Sequence, residues 1–207
     1  AAHGRKRVGK RLAMCGLAGF IGGDPTPDSL ALLSRMGDVI MRRGPDSAGV
    51  WFDPVARVGL SHRRLSIVDL SPAGHQPMAS PSGRFVLVYN GEIYNHGALR
   101  VDLQGMGDWR WRGHSDTETL LAGFEAWGFE ATIRKVVGMF AFALWDRQTQ
   151  ELTLGRDRLG EKPLYYGWQG SGSHAVFLFG SELKALKAHP AFQAPINRDA
   201  LALMMRH

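Results

Sequence analysis

Met14-Cys15-Gly16-Leu17-Ala18-Gly19-Phe20-Ile21, followed by Gly22-Gly23-Asp24, is the stretch on which the fold turns. Cys15 to Ile21 is apolar and rich in small residues, which predicts a buried strand, and the glycine pair predicts the turn that ends it. Cys15 stands at the start of that strand and is the only cysteine of the chain. On its own, such a residue reads as a small buried hydrophobe. Its position after Met14 suggests more, because a methionine before a small residue is commonly removed from a chain's start. An amino-terminal cysteine carries its own base. A free α-amine has a pKa of about 7.7 to 8.0 and a thiol about 8.5, so near neutrality the amine can take the thiol proton directly or through a water. The thiolate left behind is the nucleophile.

Downstream, Thr26 and Pro27 offer an N-cap and a first helical residue, and Leu33, Met36 and Ile40 keep helical spacing up to Arg42, Arg43 and Gly44. Two short strands are expected between Ala48 and Ser61. From Arg84 to Tyr89 nearly every residue is apolar or aromatic, which predicts a central strand buried on both faces. Leu120, Leu121, Phe124 and Trp127 share one helical face before Gly128, and Ile133, Val136 and Val137 suggest a further short helix before Gly138. Strands follow at Met139–Trp145, Leu152–Gly155, Leu164–Trp168 and Ala175–Phe179, with a helix at Glu182–Ala188. Consecutive strands with separate helices point to packed antiparallel sheets with helices outside.

With 207 residues, 44% of them hydrophobic, the chain fits one domain with a substantial core, and no apolar run is long enough to span a bilayer. No membrane association is expected. One cysteine and no secretion signal point to the cytoplasm. The net charge of +6 resembles a nucleic-acid footprint until it is located. Arg5, Lys6, Arg7, Lys10 and Arg11 lie in a start that holds no acid, so the body of the chain is nearly neutral and no nucleic-acid partner is expected. Residues 1–14 read as a basic extension, solvated or removed.

Several segments together carry a resemblance. Met14 to Phe20, Arg43-Gly44-Pro45-Asp46-Ser47, the run from His62 to Asp69, the run from Tyr89 to Asn95, and Ser115-Asp116-Thr117-Glu118 resemble, in order and spacing, the class II glutamine amidotransferases with an N-terminal nucleophile. Gly155 to Tyr166, including Gly160-Glu161-Lys162-Pro163, and Ser181 to Leu186 resemble the asparagine synthetase branch in particular. The resemblance implies an α+β fold, a four-layer αββα sandwich of N-terminal-nucleophile hydrolase type. It implies a glutaminase domain over residues 15–190 and, over 191–207, the start of a linker to a synthetase domain that is missing here. ATP and magnesium are expected for that domain only, and no cofactor for this one. Glutamine and the C-terminal synthetase domain are the implied partners, with a homodimer also open.

The resemblance also implies roles for single residues. Arg64 would bind the α-carboxylate of glutamine, for which a planar guanidinium suits bidentate contact; a structural ion pair is the other reading. Arg63 reads as an exposed charge. Asp116 would bind the substrate ammonium, with Glu92 in the same pocket; Asp116 reads equally as the N-cap of the helix after it. The Asn90 amide and the Gly91 N–H would form an oxyanion hole beside Cys15, although Asn-Gly after a strand is ordinarily a hairpin turn. Arg43–Ser47 would belong to a loop near the substrate. The eight histidines show no paired metal-ligand spacing, so no metal is assigned, and His62 and His114 read as structural or surface groups. Gly170-Ser171-Gly172-Ser173 reads as a hairpin end. The implied activity is hydrolysis of glutamine to glutamate and ammonia through a γ-glutamyl thioester on Cys15. The alternative is a non-catalytic regulatory or interaction module whose nucleophile is blocked by the residues before it.

Overall fold

The strand at the cysteine forms as read. β1 (Gly16–Gly22) begins one residue after Cys15 and ends where Gly22 and Gly23 adopt φ of 85° and 77°, a left-handed geometry that glycine enters without steric cost. The computed structural model describes residues 14–24, 28–66, 72–195 and 198–205. The basic start, the Thr26-Pro27 cap and the Ile67–Asp69 end of the His62 segment lie outside the described residues.

Helix α1 (Ser29–Asp38) is capped by Asp28, whose Oδ1 accepts from Ala31 N at 3.0 Å, and it stops short of Arg42, the chain continuing as turns to Arg43. There follow β2 (Ser47–Asp53), β3 (Val58–Arg64), β4 (Met78–Ala79), β5 (Phe85–Ile93), α2 (His96–Gln104), α3 (Asp116–Trp127), α4 (Phe129–Lys135), β6 (Gly138–Asp146), β7 (Glu151–Arg156), β8 (Tyr165–Gln169), β9 (Val176–Gly180), α5 (Leu183–Lys187) and α6 (Arg198–Met204). α2 escaped the sequence reading because it buries only Leu99 and Leu103, too few to show a period. α6 occupies part of the stretch read as linker.

Among the described residues all strand pairing is antiparallel. One sheet has the order β2-β3-β1-β9-β8 and the other β4-β5-β6-β7. Three apolar cores separate the layers. Ala18, Phe20 and Leu178 pack with Leu32, Leu33 and Met36 of α1 and Leu186 of α5. Leu17, Leu60 and Phe179 pack with Val86, Val88 and Trp145 between the two sheets. Phe85, Leu87 and Phe142 pack with Leu99 of α2 and Leu120, Leu121 and Phe124 of α3. Three cores between helix, sheet, sheet and helix define the four-layer αββα sandwich. β5 supplies residues to two of these cores, the odd positions facing the helices and the even ones the other sheet, which is why its sequence shows no polar side. Among the described residues no helix is long and apolar enough to cross a membrane.

Candidate active site

Strand alternation, continued past the apolar core, builds the site. Leu17 faces the space between the sheets, so Cys15, two residues earlier, shares that side; Val58 and Leu60 do so on β3, followed by His62 and Arg64; Val86 and Val88 do so on β5, followed by Asn90 and Glu92. At this end of the sandwich β1 begins, β3 and β5 end, and the aliphatic core gives way to polar groups. There a cavity of about 430 Å³ is lined by Cys15, Arg64, Asn90, Gly91, Glu92 and Asp116 together, all six of the expected site residues.

Cys15 is half-buried, and its sulfur lies against the main chain after β3: Leu65 N donates to Sγ at 3.3 Å, and Sγ–H faces Leu65 O at 3.6 Å. Burial pushes the thiol above its ordinary pKa; the Leu65 amide and the Arg64 guanidinium oppose that rise, and Asp116 adds to it. The residue's carbonyl accepts from Arg43 Nε at 3.1 Å, and Arg43 Nη1 is in turn paired with Glu182 at 3.2 Å. Gly16 permits this approach, since a Cβ there would come within 3.1 Å of Arg43 Cδ. The Arg43–Ser47 segment therefore buttresses Cys15 and is not among the residues that line the cavity. Asp46 completes it by accepting from Ser66 N at 2.8 Å.

Arg64 is buried against the short turn Pro72–Gly74, where any side chain at Gly74 would collide with the guanidinium. Arg63, read as exposed, is mostly buried instead and pairs with Asp38 of α1 at 3.2 Å, because the odd positions of β3 face that helix. His62 lies wholly between the sheets. Its Nε2 is 3.0 Å from Tyr89 O, and burial lowers its pKa to about 3, so the ring is neutral and donates to that carbonyl. His114 is exposed.

Asn90 and Gly91 sit within β5, opposite Ala141 and Phe140, so the hairpin-turn reading is overturned: the chain passes straight through them. Asn90 is buried, and its Nδ2 has no hydrogen-bond partner among the described residues. A buried amide donor facing a cavity without a partner is costly unless something else receives it. Asp116 is not the N-cap of α3. Ser115 is, its Oγ accepting from Glu118 N at 3.3 Å, which frees the Asp116 carboxylate for β5. Asp116 Oδ2 accepts from Tyr89 OH at 2.9 Å and Ile93 N at 2.8 Å, bracketing the segment that carries Asn90, Gly91 and Glu92. Tyr89 is thereby held far above its usual pKa by burial and by the adjacent carboxylate.

The sequence reading assigned no role to Gln76, Thr117, Met139, Glu161 or Lys162, which also line the cavity. Glu161 and Lys162 had a signal, the Gly160-Glu161-Lys162-Pro163 match; Gln76 had none.

The chain belongs to the glutamine amidotransferase domain family, which matches residues 14–207. Within it, the chain is related to asparagine synthetases: it is 38% identical over 192 residues to asparagine synthetase [glutamine-hydrolyzing] 3 of Bacillus subtilis, covering 91% of this chain and 30% of that protein. It is also 39% identical over 163 residues to amidase chry2 of Gibberella zeae, covering 74% and 24%. The glutamine phosphoribosylpyrophosphate amidotransferase of B. subtilis has a similar fold, with a TM-score of 0.64 at 19% identity, over 84% of this chain and 43% of that one. The chain spans 30% and 24% of the length of the two curated relatives.

Proposed function

We propose that this domain hydrolyses glutamine to glutamate and ammonia, with Cys15 as nucleophile. The observation that carries the reading is the buried Asn90 Nδ2, without a hydrogen-bond partner among the described residues, on a residue that lines the same cavity as Cys15. It is a donor without an acceptor until an oxyanion forms. The Cys15 α-amine accepts the thiol proton, the thiolate attacks the side-chain amide carbon of glutamine, and the carbonyl oxygen becomes negative opposite Asn90 Nδ2 and the Gly91 N–H. Collapse expels ammonia, which takes the proton back from the amine, and leaves a γ-glutamyl thioester. Water, deprotonated by the same amine, then releases glutamate. Arg64 binds the α-carboxylate, and Asp116 and Glu92 face the ammonium. No cofactor enters these steps.

The reaction needs a free amine at residue 15, whereas in this sequence Met14 is bonded to that nitrogen. An amide nitrogen is no base, so the active form begins at Cys15. Because related proteins named as glutamine-hydrolysing asparagine synthetases are several times longer, we assign the ammonia to ATP- and magnesium-dependent amidation of aspartate by a C-terminal synthetase domain, in the cytoplasm.

A diazo-ketone analogue of glutamine tests this reading. Mass spectrometry should find one adduct on Cys15 in a chain that begins there, together with glutamate release from glutamine, and neither in a chain that keeps residues 1–14. A folded chain beginning at Cys15 that takes no label would leave the non-catalytic module as the better account.

A further inference from the structure

The segment from Gly155 to Tyr166 marks the asparagine synthetase branch, yet the reaction above uses none of it. Its geometry shows a site under construction from the backbone up. Both oxygens of Asp157 are occupied by main-chain amides: Oδ1 accepts from Leu159 N at 3.1 Å and Glu161 N at 2.9 Å, and Oδ2 from Phe140 N at 3.2 Å and Lys162 N at 3.1 Å. Burial alone would raise this carboxyl, but the four amides outweigh it and hold it below its usual range. Arg156 clamps the other side of the loop, its Nε donating to Lys162 O at 2.7 Å. Phe140 is the partner of Gly91 across β5 and β6, so the loop is tied to the strand pair that carries the oxyanion donors.

What this clamp presents to the cavity is Lys162, whose side chain is buried and whose Nζ, among the described residues, meets the Met14 thioether alone, at 2.9 Å. Among the described residues it forms no ion pair. A buried ammonium with a thioether for a partner is destabilising, and a loop this firmly held gives it no way out. Burial pulls its pKa down and Arg43 adds to that, while Glu161, Cys15 and Glu92 favour its charge. Of the charged groups around Cys15, Arg64 favours its thiolate and Asp116 opposes it.

We propose that Lys162 is a positioning residue for the nucleophile: its fixed ammonium stabilises the Cys15 sulfur as the sulfur becomes negative, without itself giving up a proton. This deepens the glutaminase reading of the same site, but its test does not depend on turnover. Cys15 is the only cysteine, so alkylation by iodoacetamide, followed by intact mass across pH, reports its thiolate directly. In the full chain the Cys15 nitrogen is an amide, so no α-amine complicates the titration.

Lys162→Met keeps the length and removes the charge; Lys162→Arg keeps the charge. The alkylation midpoint should rise by about one pH unit in Lys162→Met, a rate about tenfold lower on the acidic limb, and stay within about 0.3 units in Lys162→Arg. Lys162→Met should also melt at or above the parent temperature, since it removes an unpaired buried charge. An unmoved midpoint in folded Lys162→Met overturns the proposal, as does an equal shift in both variants. A Lys162→Met chain that fails to fold overturns it too, because the side chain would then be structural. If the midpoint moves as expected but a chain beginning at Cys15 releases no ammonia from glutamine, the proposal stands and the glutaminase reading falls.

Discussion

Asn90 is the residue at which structure and chemistry meet most directly. Its Nδ2 is buried and has no hydrogen-bond partner among the described residues, and the residue lines the cavity. Asn90→Ala should therefore lower kcat for glutamine by about 100- to 1,000-fold with little change in KM, the signature of a donor used only in the transition state. Steady-state glutaminase assays on the form beginning at Cys15 check this. Arg64 should behave in the opposite way. A single ammonium cannot reproduce bidentate contact, so Arg64→Lys should raise KM by about tenfold or more while kcat changes less. Gly74→Ala should do the same through the guanidinium it displaces, because the added methyl would collide with Arg64 Nη2.

At the scale of elements, the loop between β7 and β8 illustrates how one carboxylate can organise a segment. Asp157→Ala leaves four amide donors without their acceptor, and each buried donor left unmade costs about 1 to 3 kcal/mol before solvent recovers part of it. The variant should lose about 2 to 4 kcal/mol of stability in urea unfolding, and its amides at 159–162 should exchange faster than those of β5. Helix α3 depends on a smaller device. Ser115→Ala removes its N-cap and should cost about 1 kcal/mol, measured as a lower urea midpoint. The same pair of elements shows where the sequence was and was not legible. The apolar face of α3 could be read from Leu120, Leu121 and Phe124. Its cap could not, since Ser115 and Asp116 are both good capping residues and only the distance from Asp116 to Tyr89 and Ile93 separates them.

At the scale of the whole molecule, the two sheets are joined by His62, and that joint is sensitive to acid. The folded ring has a pKa of about 3 because burial disfavours its charge, whereas an unfolded histidine titrates near 6.5. Between those values the unfolded chain binds the extra proton and the folded one does not, so stability falls as the pH drops through that window, by about 3 to 5 kcal/mol in all. Urea unfolding at several pH values between 7 and 3.5 should show this slope in the parent, and a shallower slope in His62→Gln. The sequence by itself determined the elements that repeat a simple period, and its motifs nominated six candidate site residues through the resemblance they carry. It also determined that Cys15 opens a buried strand, because alternation and small size are local properties. Tertiary structure alone decided that Cys15, Arg64, Asn90 and Asp116 share one cavity, that Arg63 turns to α1, that Asn90-Gly91 runs straight, and that Lys162 is buried beside Met14. The reason is that a strand's period sets which side a residue faces, but only the stacking of two sheets sets what it faces there.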